Sequence, residues 1–266
     1  PTPIFHTMGN HDNDGATIPN SDTDFNATKP YREVFGPTYY SFNIGKVHYI
    51  MLDNLRYRND KTPKMKPGKN MAGARNYDHV VTEEQMEWLR KDLAMIEDKS
   101  TPIVVGMHAP VYRMLSEHNS TELYSYFHDS KGKRTMPPAL YFSSAFSDFK
   151  EVHYLTGHTH KLYTTHCKVA TQYPELANTI DHNVSAICGA WWFTRPHGGP
   201  HLAPDGVPAG FSVFPVEGKD IEWYFTSIDC GAEKQFRTFD MNSVRDYYRT
   251  NGEMRVFLTA NPKCTD

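Results

Sequence analysis

The chain has 266 residues, a formal net charge of −3, and 39% hydrophobic and 13% aromatic residues. Its length suits one large domain or two smaller ones, and its apolar content can bury a sizeable core, which excludes a disordered chain. Slight acidity excludes the basic field that bulk nucleic-acid binding needs, and no run of about 18 apolar residues reads as a membrane span.

The opening "PTPIFHTM", residues 1–8, reads as a short buried strand that delivers "GNHDND" at 9–14. Pro1 is not a start residue and no apolar leader precedes the first strand-like run, so the chain reads as an internal piece of a longer protein. Next, "YYSFNIGKVHYIMLDN" (39–54) gives two strand-like runs around Gly45-Lys46, a hairpin signal. The Lys-, Pro- and Gly-rich residues 55–75 read as a long exposed loop. "TEEQMEWLRKDLAMIE" (82–97) is the clearest helix: Thr82 and Gln85 fit a capping box, and Met86, Leu89, Leu93 and Ile96 line one apolar face.

"TPIVVGMHAP" (101–110) predicts a buried strand ending at Pro110, and "EVHYLTGHTH" (151–160) another ending in glycine and histidines. Between them, roughly 111–144, lies a Tyr-, Ser- and Pro-rich insertion. Beyond residue 160 helical periodicity disappears, and "NVSAICGAWWF", "GFSVFPV", "DIEWYFTSI", "QFRTFDM" and "MRVFLTA" read as successive strands. Strands mixed with a helix, then strands alone, predict an α/β layered core followed by a mostly β region. Cysteines 167, 188, 230 and 264 form no Cys-x-x-Cys and read as buried free thiols, a disulfide staying open for an exported protein.

Three polar motifs end three separate apolar runs: Gly9-Asn10-His11-Asp12, Gly106-Met107-His108 and Gly157-His158-Thr159-His160. Ligands in open α/β folds bind outside the carboxyl ends of the strands, so the three runs point to one shared site. Imidazole and the Asn amide oxygen are competent ligands for Zn, Mn or Fe. In an extended His-x-His both rings share a face; in a turn they diverge toward neighbouring ions. His11-Asp12 offers a protonatable imidazole with a carboxylate to orient it.

"GNHD", the single His after "VVGM", and "GHTH", in that order, resemble the last three motifs of the calcineurin-like metallophosphoesterase superfamily. "FGPTYYSFNIGKVHYIMLDN" and "CGAWW", with Asp205 to Phe214, resemble its bacterial, often exported subgroup with an added C-terminal β domain. The resemblance implies a two-sheet α/β/β/α sandwich, truncated at its N-terminus, over residues 1–228, and the start of an accessory β-rich region over 229–266. It implies a binuclear centre of two divalent or trivalent ions (Mn, Fe or Zn) that share a bridging hydroxide and hydrolyse phosphate mono- or diesters. Asn10, His108 and His158 would bind the second ion and His160 the first; His11 would be the general acid or phosphate contact, with Asp12 behind it. A phosphorylated small molecule or phosphodiester is the implied substrate, and a periplasmic or secreted location the implied setting, with no nucleic-acid or membrane partner indicated.

The chain departs from the family at its first two motifs, Asp-x-His and Gly-Asp-x-x-Asp. No His here has an Asp two residues before it, and Gly-Asp never occurs. Three neutral ligands without the bridging carboxylate bind a dication weakly, so the chain is expected to hydrolyse little on its own. The rivals are a non-catalytic, degenerate member or ligand-binding module using the same cleft, and a mononuclear metalloenzyme built on His-x-His. Tyr112 and Arg113, next past His108, are the substrate-contact candidates by adjacency. His6, His48 and His153 read as strand histidines, while His79, His118, His128, His166 and His182 have no spacing partner. Lys61, Lys64, Lys66 and Lys69 read as a solvated loop, and Trp191, Trp192 and Phe193 as core.

Overall fold

The computed structural model describes residues 2–18, 20–58, 77–111, 138–170, 176–187, 207, 209–228, 236–237 and 259–260. The chain divides into two compact units, Pro1–His158 with Thr164–His182, and Thr159–Tyr163 with Asn183–Asp266. That division comes earlier than the start of the accessory region expected at 229.

In the first unit, α1 (Thr23–Ala27) and α2 (Lys29–Phe35) precede β1 (Tyr40–Ile44) and β2 (Val47–Met51). β1 and β2 form the expected hairpin, antiparallel with Ile44 opposite Val47, and Gly45 takes the left-handed φ of 60° that the tight turn requires. β3 (Leu55–Tyr57) and β4 (Tyr77–His79) make a two-stranded antiparallel ribbon, and then come α3 (Glu83–Ala94) and β5 (Ile103–Gly106). α4 (Pro138–Ser144), β6 (Val152–Thr156), β7 (Tyr163–His166), α5 (Cys167–Ala170) and β8 (Thr179–Asn183) follow. One six-stranded sheet results, in the order β1-β2-β5-β6-β8-β7, with β2, β5 and β6 parallel. The fold is thus α/β with a multi-strand central sheet and a β-rich C-terminal part.

The parallel register matters for function. Met51 lies opposite Gly106, and Gly106 opposite Leu155, so β2, β5 and β6 end at one edge. Past their ends the backbone pairing continues: Leu52 donates to the Gly106 carbonyl (2.9 Å), Met107 to Leu155 (3.1 Å) and Gly157 to His108 (2.9 Å). His108 and His158 therefore emerge side by side.

One face of this sheet carries the core. Ile50, Leu52, Ile103, Val105, Val152 and Tyr154 meet Met86, Leu89 and Leu93 of α3 and Phe142 of α4. Those α3 residues recur at the 3–4 spacing of a single helix face, which is why the helix forms where its stripe can be covered. Thr82 caps it, its hydroxyl accepting from the Gln85 N–H at 3.3 Å. The second half of the expected capping box is absent, because the Gln85 side chain is spent elsewhere. Its amide accepts from the Asp53 N–H (3.1 Å) and donates to the Asp53 carbonyl (2.8 Å), clamping the chain just past β2.

The opening run departs from expectation. Residues 2–8 form no strand; Ile4 and Phe5 are exposed. Two of the first three residues are prolines without N–H donors, and the segment is held by side chains instead. The His6 backbone exchanges two 2.9 Å hydrogen bonds with the Tyr40 hydroxyl, and Phe5 stacks on Phe42 with centroids 3.8 Å apart. α4 and α5 were likewise not expected, the first lying at the end of what reads as an insertion.

In the second unit the described elements are all strands: β9 (Gly210–Val213), β10 (Val216–Glu217), β11 (Asp220–Ile221), β12 (Tyr224–Ser227), β13 (Phe236–Arg237) and β14 (Thr259–Ala260). They form antiparallel pairs, β9 with β12, β10 with β11 and β13 with β14. Cys167 is buried, and the other three cysteines lie outside the described residues. Among the described residues no helix is long and apolar enough to cross a membrane.

Candidate metal centre

Asn10 sits in the turn at residues 9–14. The Asp12 N–H donates to the Gly9 carbonyl at 3.0 Å, and the Asp12 carboxylate accepts the Gly9 N–H at 2.7 Å. Turn-favouring residues thus do build a turn, and it aims Asn10 inward, where it is buried. Gly9 is needed for closeness: a Cβ there would stand 3.1 Å from His108 Nδ1 and 3.3 Å from Asp12 Oδ2. His11 and Asp12 are exposed, and the Asp12 carboxylate is turned back onto the chain at Gly9.

His108 stands beyond β5 on a braced loop. The Asn54 side chain donates to the Ala109 carbonyl (2.7 Å) and accepts from the Ala109 N–H (3.1 Å). Gln85 on Asp53 and Asn54 on Ala109 are therefore consecutive two-bond clamps running from α3 to the residue after His108. Buried amides matched donor to acceptor cost little to desolvate and fix geometry well.

His158 follows β6 in the left-handed region, with φ 65°. Three donor atoms converge: His108 Nε2 lies 2.8 Å from Asn10 Oδ1 and 3.0 Å from His158 Nδ1. A ring nitrogen bears at most one hydrogen, so His108 Nε2 cannot make a full hydrogen bond to both neighbours. A cation would reconcile these contacts: ligands about 2.0–2.2 Å from a dication stand about 3 to 3.5 Å from each other. The donor set of one amide oxygen and two imidazoles suits a borderline first-row ion. Among the described residues no group of three or more His, Cys, Asp and Glu is arranged to hold a metal, so this cluster depends on its Asn.

The other expected residues are placed differently. His160 belongs to the second unit, is half-buried and is also left-handed, with φ 58°. Of the two geometries open to His-x-His, the chain takes the turn. Tyr112, Arg113, the four loop lysines and Trp191, Trp192 and Phe193 lie outside the described residues.

Three residues that sequence reasoning passed over border the cluster. Tyr77 OH accepts from Asn10 Nδ2 at 3.1 Å, and His79 Nε2 lies 3.3 Å from His158 Nε2. The buried Tyr57 hydroxyl donates to the Asn10 carbonyl, and its ring stacks on Tyr77. Burial, reinforced by Tyr77, pushes the Tyr57 hydroxyl well above its ordinary range, so it stays protonated as a donor. Nothing local in "RNYDHVV" marks Tyr77 and His79; only the β3–β4 pairing brings them here.

The family described as Calcineurin-like phosphoesterase matches residues 1–162, and that described as C terminal of Calcineurin-like phosphoesterase matches residues 181–261. Purple acid phosphatase 15 of Arabidopsis thaliana is 36% identical over 81 residues, 30% of this chain and 11% of that protein's length. The chain thus spans about a tenth of the curated relative it matches. With the first match covering well over half of its length, the chain belongs to the calcineurin-like phosphoesterase family.

Proposed function

We propose that this chain carries part of a metal-dependent phosphoesterase centre that hydrolyses phosphate mono- or diesters. Membership of the family implies phosphoester hydrolysis in general. The observation that carries the finer reading is the convergence of Asn10 Oδ1, His108 Nε2 and His158 Nδ1. These three residues would hold one divalent ion, and His160 would contribute to a second. When bound, such ions supply Lewis acidity toward the phosphoryl oxygens and an activated water for in-line displacement. His11, exposed beside Asn10, acts as general acid or phosphate contact, and Asp12 fixes the turn that presents it. Tyr112 and Arg113 are the substrate contacts by adjacency to His108, and a periplasmic or secreted setting rests on the resemblance of residues 35–54 and 188–214 to the exported subgroup.

The ligand set is incomplete in this sequence: Asp-x-His and Gly-Asp-x-x-Asp are absent, and all four proposed ligands are neutral. The 266-residue chain alone therefore binds metal weakly and turns over little. Titration calorimetry with Mn2+ and Zn2+, paired with mono- and diester assays, tests both statements. Weak binding that disappears in Asn10→Ala and His108→Ala, without turnover, is expected. Robust metal-dependent hydrolysis by this chain would overturn the incomplete-site statement, and unchanged binding in both variants would overturn the ligand assignment.

The rival reading, a ligand-binding module in the same cleft, is favoured by one observation: the Asp12 carboxylate, two residues from Asn10, is engaged with Gly9. Binding of a phosphorylated sugar or nucleotide without metal would select it.

A further inference from the structure

We propose that Tyr77 and His79 are positioning residues that lock the metal-competent orientation of Asn10 and the metal-competent tautomer of His158. This rests on the reading of Asn10, His108 and His158 as ligands.

An Asn amide is nearly symmetric in shape and opposite in chemistry at its two ends: one end accepts, the other donates. Only one orientation turns Oδ1 toward His108 Nε2 at 2.8 Å. Tyr77 selects that orientation, because its hydroxyl accepts from Asn10 Nδ2 at 3.1 Å on the far side of the amide. With the tyrosine oxygen lost, the flipped amide would present an N–H to His108 and repel a cation. Tyr57 fixes the same residue from its backbone carbonyl, and the two tyrosine rings stack with centroids 5.6 Å apart.

His158 poses the parallel question for a ring. Its Nδ1 faces His108 Nε2 at 3.0 Å, while its Nε2 faces His79 Nε2 at 3.3 Å. A neutral imidazole carries one proton, and only the nitrogen without it can ligate a metal. His79, by accepting from His158 Nε2–H, puts the proton on the outer nitrogen and leaves the Nδ1 lone pair facing His108. Ligand imidazoles in general donate their other N–H to a fixed acceptor, and here the acceptor is a second imidazole.

Both duties come from one short strand. Tyr77 and His79 alternate with Asp78 on β4, so their side chains share a face, and β3 fixes the register by pairing Tyr77 with Tyr57 and His79 with Leu55. The β3–β4 ribbon thus braces two ligands that arrive from two different loops.

The test uses the whole chain with Zn2+ in chelator competition, together with long-range 1H–15N spectra of the histidine rings. Tyr77→Phe and His79→Ala are each expected to weaken Zn2+ affinity by about 10- to 100-fold at unchanged melting temperature. His79→Gln, whose amide oxygen can accept the same proton, should recover most of that loss. The His158 ring should show the Nε2–H tautomer in the native protein and a mixture in His79→Ala, with no metal present. Native affinity in Tyr77→Phe and His79→Ala, while Asn10→Ala loses binding, would overturn the positioning role and leave the ligands standing. Native affinity in Asn10→Ala as well would remove the ligand reading and this inference with it. A His158 tautomer indifferent to residue 79 would overturn the role of His79 by itself.

Discussion

Asp53 is a carboxyl group buried between a helix and the end of a strand. Burial pushes it up to about 8, the nearby Asp24 adds to the rise, and the Leu55 N–H, donating at 3.2 Å, opposes it. The sign follows: the folded chain holds this proton longer than the unfolded one, so the group costs stability as pH rises from about 4 to about 8. Asp53→Asn keeps the acceptor for Leu55 and removes the ionisation. Urea midpoints should therefore show no gain at pH 4 and a gain growing toward pH 8, at most about 1.4 kcal/mol per pH unit. A gain equal at both pH values would refute the cause given. At this scale the sequence is informative where a motif is contiguous: Asn10 and His158 directly follow glycines, and His108 stands two residues past Gly106, each after an apolar run. Tyr77 and His79 were illegible, since their roles arise from pairing across a ribbon and from a partner 67 residues away for Tyr77 and 79 for His79.

Among the elements, β6, β8 and β7 are tied by a row of side chains behind the core. Glu151 accepts from His153 Nε2 at 2.7 Å, His153 Nδ1 meets His182 Nε2 at 2.9 Å, and His182 Nδ1 meets the Thr164 hydroxyl at 3.4 Å. One proton per ring satisfies the whole row. Burial lowers His153 despite Glu151, and burial with the neighbouring His153 and His166 lowers His182 to about 3. Both rings resist protonation when folded and titrate near 6.5 when unfolded, so stability is complete above pH 6.5 and is lost as pH falls below it, for His182 down toward 3. For His182 the loss is at most about 1.4 kcal/mol per pH unit in that window, opposite in sign to Asp53. Denaturant midpoints at pH 7, 5.5 and 4 should fall steeply in the native chain and less steeply in His182→Asn; parallel curves would refute the assignment. From the sequence His182 has no spacing partner and His153 is a strand residue, because periodicity does not reveal that they meet. The hairpin, α3, β5 and β6 were legible because their patterns are local. The opening run forms no strand despite its apolar content, because that content alone does not supply a strand partner.

At the scale of the whole molecule, the chain passes between its two compact units three times, at residues 158–159, 163–164 and 182–183. The second unit is therefore not a simple C-terminal appendage. Within it, the Thr159 hydroxyl donates to the Asn183 side chain, joining the His160 loop to the later segment. A chain ending at residue 182 loses that partner. Hydrogen exchange should then accelerate at 159–163 while the β2, β5 and β6 amides keep their protection. Unchanged exchange at 159–163 would show that the loop needs nothing after 182.

His158 and His160 also carry an energetic signature of their own. Both hold φ near +60°, a conformation costing roughly 1 kcal/mol for a residue with a Cβ and little for glycine. Glycine at either position would make the chain sturdier and chemically mute. A protein that had abandoned imidazole chemistry would gain from that exchange at two places separated by a single residue, and this sequence has taken it at neither.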